Sequence, residues 1–224
     1  VRLHEASGAA VIRANYQGDI GLHVAKALWG IRHLGLIEES KPLLERIKFL
    51  GEAYVLGNTA YEGDQKDEIV VINKKIYAKD PEVLSLWEKT KAWSLEYFDS
   101  LYKRLGTHYD RLFFESEVAG PGARIAKEAL EKGILIESEG AVIFDGTPYS
   151  IDKRVFLNSE GLPTYEAKEL GLAEREFSEF GQIDRLIHVV GPEQQSFFKV
   201  TFKVEELLDP AKYVGRQYHF VYGY

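Results

Sequence analysis

The sequence predicts an α/β fold interrupted by a helical insertion, with core segments at residues 1–37 and 107–224 and the insertion at 38–106. Three observations predict it. A β-branched run at residues 9–16 passes through Gln17-Gly18-Asp19-Ile20-Gly21 into a helical stripe, which reads as strand, loop, helix. A long charged and aromatic stretch of helical periodicity follows. Near the end, residues 185–190 form a strand that runs through Gly191-Pro192 into another helix, the arrangement that places ligands beyond strand ends in open α/β sheets.

Leu22–Leu34 carries apolar residues at 22, 24, 25, 28, 29 and 31, one face of a helix. Within the insertion, Asp80-Pro81 supplies an N-cap and a first-turn proline, and Gly106 a stop. Leu84, Trp87, Leu95, Phe98, Leu101 and Leu105 give the best-defined stripe between them, and the Trp87–Tyr102 aromatics read as helix core. Asp110–Ser116 then reads as a strand, and Gly122–Glu131 as a helix ending at Gly133. Short strands are expected within 134–144 and 153–158, separated by Asp145-Gly146-Thr147-Pro148, and a helix over Glu193–Leu208.

Composition narrows the chemistry. With 45% hydrophobic and 28% charged residues in 224, the chain has material for a large core, so disorder and disulfide miniprotein are excluded. The absence of Cys removes disulfides, thiolate metal sites and a cysteine nucleophile. A net charge of −7 argues against binding nucleic acid through general basic charge, and no DNA partner is expected. Apolar runs are short, so neither a membrane partner nor a signal peptide is expected, and a cytoplasmic location is. A chain with no Met, starting at Val1, is expected to be a fragment. The histidines at 4, 23, 33, 108, 188 and 219 show no zinc-binding spacing, and no Gly-x-Ser-x-Gly elbow is present, so neither a protein-bound metal nor a hydrolase triad is expected.

Three segments could carry chemistry. Thr164 as N-cap starts a helix in which Tyr165 and Glu169 lie one turn apart; a phenol and a carboxylate so placed, if partly buried, suit a guanidinium or ammonium group, or else belong to a solvated surface helix. At the late strand-to-helix turn, Gly191 would allow close ligand approach, Glu193 could accept ribose hydroxyls, and Gln194 offers donor and acceptor; an ordinary turn with Pro192 at the first helical position is the alternative. The polar loop from Asn15 and Tyr16 to His23 opens at the same kind of strand end, but its glycines match neither a dinucleotide fingerprint nor a P-loop, and Asp19 reads as a helix cap or a ligand. His219 reads as a packed histidine.

Taken together, Val11-Ile12-Arg13-Ala14-Asn15-Tyr16-Gln17-Gly18-Asp19-Ile20-Gly21, Phe113-Phe114-Glu115-Ser116, Ser159-Glu160-Gly161-Leu162-Pro163-Thr164-Tyr165, Val189-Val190-Gly191-Pro192-Glu193-Gln194 and His219-Phe220-Val221-Tyr222-Gly223 resemble, in order, the catalytic domain of arginyl-tRNA synthetase, a class I aminoacyl-tRNA synthetase. The resemblance covers nearly the whole chain. It implies a Rossmann-type class I synthetase catalytic core that activates L-arginine with ATP as arginyl-adenylate and transfers it to tRNA(Arg). It also implies that Tyr165, Glu169 and Gln194 hold the arginine side chain, with Asn15, Tyr16 and Asp19 lining the site. Gly191 and Glu193 would lie near the adenylate ribose, and His219 and Gly223 near the nucleotide. Catalysis would be positioning and electrostatic stabilisation of in-line attack at the α-phosphate, with Mg2+ arriving on ATP.

Two departures qualify the resemblance. Glu169 stands where the family usually carries Asp, one methylene shorter, and Phe197 where it often has His. The His-Ile-Gly-His and Lys-Met-Ser-Lys-Ser signatures of the class are not among these residues, and the resemblance implies that they flank Val1 and Tyr224. ATP–pyrophosphate exchange by the 224 residues alone is therefore expected to be negligible, and exchange at an ordinary enzymic rate would refute this. The anticodon-binding and tRNA-elbow domains of the family are not expected among these residues either, so weak tRNA binding by them is expected. Two rival readings are a non-catalytic relative that binds arginine or a protein partner, and a class I nucleotidyl transferase for another amino acid, which would not separate arginine from citrulline.

Overall fold

A computed structural model describes residues 1–223 and divides into two compact units, Val1–Ser116 and Glu117–Tyr224. The insertion does not stand apart as a unit of its own. It belongs to the first unit because its helices bury their apolar faces against the first core helix.

The first unit runs α1 (Arg2–Ala6), β1 (Ala14–Gln17), α2 (Leu22–Leu34), α3 (Leu43–Glu62), α4 (Lys66–Tyr77), α5 (Pro81–Leu105) and β2 (Arg111–Phe114). Strands β1 and β2 pair in parallel, from Ala14 opposite Arg111 to Gln17 opposite Phe114, so α2 to α5 together form the crossover that a parallel pair requires. The expected strand at 9–16 starts only at Ala14. Upstream, the Arg13 N–H is taken by the Asp110 carboxylate at 2.8 Å, a side chain standing where a ladder carbonyl would be. Helix α2 matches its predicted span, and Ala25, Leu28 and Ile31 are buried with Ala53 of α3 and Ile69, Ile72 and Ile76 of α4. Gly30 makes the closest approach: a Cβ there would fall on the carbonyl oxygen of Ala53.

In α5 both predicted ends are observed. Asp80 accepts the Glu82 N–H at 2.9 Å ahead of Pro81, and Gly106 closes the helix at φ 64° in the left-handed region. The stripe differs from the sequence expectation. Val83, Thr90 and Trp93 are the buried residues of α5, whereas Phe98 is 38% and Leu105 75% exposed. Trp87 and Tyr102 are half-buried and hydrogen-bonded to polar groups of the first strand and its loop, so they are not the core aromatics the sequence suggested.

Helix α6 (Glu115–Glu131) starts well before the predicted Gly122 and carries Pro121 inside it. Its start is set from a distance. The Asp19 carboxylate accepts the Ser116 N–H at 2.9 Å, doing for this terminus what a local N-cap does elsewhere.

The second unit continues α6 into β3 (Ile136–Ser138), β4 (Ala141–Phe144) and β5 (Arg154–Leu157), an antiparallel sheet in that order, followed by α7 (Tyr165–Glu179). Then come β6 (Leu186–Val190), a 3-10 turn at Pro192–Gln194, α8 (Gln195–Leu208), α9 (Pro210–Tyr213) and β7 (Gln217–Val221). Strands β6 and β7 pair in parallel, with His188 opposite His219. Ile125, Ala126 and Ala129 of α6, Phe144, Phe156, Ala167 and Leu170, and Val200 and Val204 of α8 form one core. Helix α7 crosses α6 at backbone contact, since a Cβ on Gly122 would fall on the Ala167 carbonyl oxygen. That crossing fixes the helix bearing Glu169.

Candidate functional site

Helix α7 begins after Thr164, as predicted, but the Thr164 hydroxyl does not cap it. It donates to the carbonyl oxygens of Val155 at 2.6 Å and Phe156 at 3.1 Å, tying the helix start to β5. One turn then carries the chain from surface to interior: Tyr165 is 60% exposed and Glu169 4%. Residues four apart on a helix lie about 6 Å from one another, close to the reach of an arginine side chain.

Glu169 lies among groups the sequence analysis did not single out. On its own helix Glu176 is buried, and Glu205 of α8 is 1% exposed. His188 of β6 places Nδ1 3.6 Å from Glu169 Oε1. The other side of that imidazole, Nε2, lies 3.4 Å from Gln217 Oε1, and the Gln217 amide donates to Glu205 Oε2. This order assigns the tautomer: Nε2–H donates to Gln217, and Nδ1 faces Glu169 as an acceptor. A buried polar chain therefore runs Glu205, Gln217, His188, Glu169.

Charge is costly here. Burial pushes the Glu169 carboxyl up to about 8 and the His188 imidazole down to about 4. Burial also raises Glu176 and Glu205 well above the usual carboxylate range, with Glu169 adding to both shifts. At neutral pH the Glu169 carboxyl is protonated and His188 is neutral, so the pair is an acid facing an imidazole acceptor, not an ion pair. Glu169 Oε1, Glu176 Oε2 and Glu205 Oε1 are buried oxygens without a hydrogen bond. Buried polar atoms are nearly always satisfied, so three such oxygens in one unit are exceptional.

At the end of β6, Gly191 is buried, and the Glu193 carboxylate folds over the place where a Cβ would sit. Glu193 is exposed and Gln194 half-buried on the 3-10 turn. His219 directs Nε2 to the Val190 carbonyl oxygen at 3.1 Å, packs on Phe198 with ring centroids 4.7 Å apart, and leaves Nδ1 buried without a hydrogen bond. Gly223 is exposed after β7. Phe197 stacks edge-on against Phe198, which gives it a packing role that the sequence did not explain.

In the first unit, Asn15 and Tyr16 lie on β1 and Asp19 at the loop that follows. Asp19 is 7% exposed, and its carboxylate is held by the Ser116 N–H, by the Ser116 hydroxyl at 2.6 Å and by Lys91 Nζ at 2.5 Å. Asp19 does not cap the helix that follows its own loop; its carboxylate meets the Ser116 N–H at the start of α6 instead. Lys91, Trp87 and Tyr102 were missed because nothing local marks them. Glu176 had a signal in its spacing, since it follows Glu169 by seven residues and so shares its helix face.

Among the described residues there is no group of three or more His, Cys, Asp or Glu side chains arranged to hold a metal ion, and no helix long and apolar enough to cross a membrane.

A family of class I tRNA synthetase catalytic domains for arginine matches residues 1–223. The arginine--tRNA ligase of Treponema denticola is 31% identical over 231 residues, covering 99% of this chain and 38% of the ligase. That of Bdellovibrio bacteriovorus is 30% identical over 234 residues, covering 100% and 39%. Among solved structures, arginyl-tRNA synthetase from Plasmodium falciparum superposes with a TM-score of 0.77 at 18% identity over 100% of this chain and 38% of its own. The Thermus thermophilus arginyl-tRNA synthetase gives 0.71 at 20% identity over 99% and 43%. The chain thus spans about two fifths of the length of the ligases it resembles.

Proposed function

The chain belongs to the family of class I arginyl-tRNA synthetase catalytic domains, and on that premise we propose that it recognises L-arginine and ATP as part of an arginine--tRNA ligase acting in translation. In that reaction an arginine carboxylate oxygen attacks the α-phosphorus of ATP, and the bond to the β-phosphate breaks to release pyrophosphate. A terminal ribose hydroxyl of tRNA(Arg) then takes the arginyl group, releasing AMP. The domain contributes placement and electrostatics and no covalent intermediate.

The observation that carries this reading is the buried Glu169 carboxyl with an unsatisfied oxygen, one helical turn below an exposed tyrosine. A guanidinium offers five N–H donors and a permanent charge, so it would satisfy Oε1 and hold Glu169 ionised. Tyr165 would border the side chain at the surface, and Gln194 would add an amide. The extra methylene of Glu169 relative to Asp extends the carboxyl further from α7, and His188 meets it there.

Gly191 and Glu193 suit the nucleotide: Gly191 is buried at the end of β6 beside the Glu193 carboxylate, which would accept ribose hydroxyls. His219, with an unsatisfied ring nitrogen, and Gly223 border the same ligand in this reading. Magnesium bound with ATP would neutralise phosphate charge.

Calorimetric titration with L-arginine against citrulline tests the proposal. Citrulline keeps the shape and loses the charge, so arginine is expected to bind at least about tenfold tighter, the worth of a charge-assisted pair. Equal affinities would show that no carboxylate reads the guanidinium.

A further inference from the structure

The insertion helix α5 reaches the first strand and its loop at two points. Near its C-terminal end, the Tyr102 hydroxyl accepts from Asn15 Nδ2 at 3.1 Å and from Gln17 Nε2 at 3.0 Å. Residues 15 and 17 point to one face of β1, so a single phenol oxygen fixes two amides. The Tyr102 ring is itself set edge-on against Tyr109, with centroids 4.8 Å apart. About three to four turns toward the N-terminus, Trp87 Nε1 donates to the Asp19 carbonyl oxygen at 2.6 Å, and Lys91 Nζ donates to the Asp19 carboxylate at 2.5 Å. Lys91 also lies 3.6 Å from the centroid of Phe114 at the end of β2. Trp87 and Lys91 sit one helical turn apart, on the same side of α5.

We propose that α5 is the positioning element for the substrate-facing strand and loop of the first unit, with Tyr102 orienting the Asn15 and Gln17 amides while Trp87 and Lys91 hold Asp19. The proposal rests on the arginine-binding reading above together with the family resemblance, which implies that Asn15 lines the arginine site. A free asparagine amide can exchange its oxygen and nitrogen by turning over, which would put a donor where a donor-rich ligand needs an acceptor. Held by Nδ2, Asn15 presents Oδ1, the acceptor that an ammonium or guanidinium requires. Tyr102, Trp87 and Lys91 touch no substrate in this scheme and act through Asn15, Gln17 and Asp19.

The test is Tyr102→Phe in the 224-residue chain, which keeps the ring and its contact with Tyr109 and removes the hydroxyl. Three quantities are read: the melting temperature, the dissociation constant for L-arginine, and hydrogen exchange of the Asn15 and Gln17 side-chain amides by NMR. The expected result is a melting temperature changed by no more than about 2 °C, arginine binding weaker by about five- to tenfold, and faster exchange at both amides. Unchanged affinity with unchanged exchange overturns the proposal, as does a fall in melting temperature with no change in affinity, which would make Tyr102 a structural residue only. If the unsubstituted chain binds no arginine, the arginine reading fails on its own, and the amide exchange still decides whether Tyr102 fixes the strand.

Discussion

Replacing Glu169 with Gln is expected to weaken L-arginine binding at least about tenfold and to abolish a proton release that accompanies binding in the unsubstituted chain. The release follows from the environment of this carboxyl. Burial puts it at about 8, so roughly nine molecules in ten carry the proton at pH 7. The guanidinium keeps its charge at every accessible pH, and pairing with it requires the ionised form, so each arginine bound at pH 7 should release about 0.9 proton. Calorimetry in buffers of different ionisation enthalpy measures that number directly. Affinity should also rise about fivefold between pH 7 and pH 8, because the cost of ionising the acid falls. Heats independent of the buffer, or equal affinity in the Glu169→Gln variant and the unsubstituted chain, would remove Glu169 as the anchor. Burial alone sets the scale at 169: Glu169 in turn raises Glu176 and Glu205, and neutral His188 offers only an acceptor.

The same groups give stability a pH dependence of definite sign. A carboxyl raised by burial contributes fully below its unfolded value near 4.5, and its contribution is lost as pH rises through the folded value. His188 works oppositely, since its folded value of about 4 lies below the unfolded 6.5, and its contribution is lost as pH falls through that window. Above pH 6.5 only the carboxyls act. Thermal stability should therefore fall from pH 6.5 to pH 8, with Glu169 alone accounting for about 2 kcal/mol, and Glu169→Gln should flatten the slope.

How much of this was legible in the sequence depended on how local each cause is. The ends of α5 could be read because Asp80, Pro81 and Gly106 act on the residues beside them. The start of α6 could not, because its cap is Asp19, 97 residues away, and a reader looking for a local cap stops at Pro121. The stripe of α5 was misplaced for a related reason. Trp87 and Tyr102 count as apolar in a periodicity, yet their N–H and O–H groups are drawn to Asp19 and to the β1 amides, which rotates the buried face toward Val83, Thr90 and Trp93. Glu169 was found through its spacing from Tyr165 and the family resemblance. His188 and Gln217 lie on separate strands that become neighbours only when β6 pairs with β7, so no window of sequence contains them both.

Removing the Asp19 carboxylate with Asp19→Ala is expected to cost about 3–5 kcal/mol, since it strands Lys91 without its anion and leaves the Ser116 N–H and hydroxyl without an acceptor. The Lys91 side chain is 21% and that of Asp19 5% exposed, so solvent screens the pair little. In a chain of this length the loss corresponds to a fall in melting temperature of roughly 10 °C or more. Asp19→Asn separates the contributions. An asparagine can still accept from the Ser116 N–H through its oxygen, but its NH2 group then meets the Lys91 ammonium, a donor facing a donor. It should cost less than Ala but more than the loss of one hydrogen bond. Lys91→Met, which removes the cation, should recover part of the Asn penalty, because the repulsion is gone in the double variant. A double-mutant cycle with a coupling below about 0.5 kcal/mol would mean that Asp19 and Lys91 do not act on one another in solution. Trp87 and Tyr102 would then be the polar ties from α5 that remain on the first strand and its loop, and Asp19 would be left as a distant cap for α6.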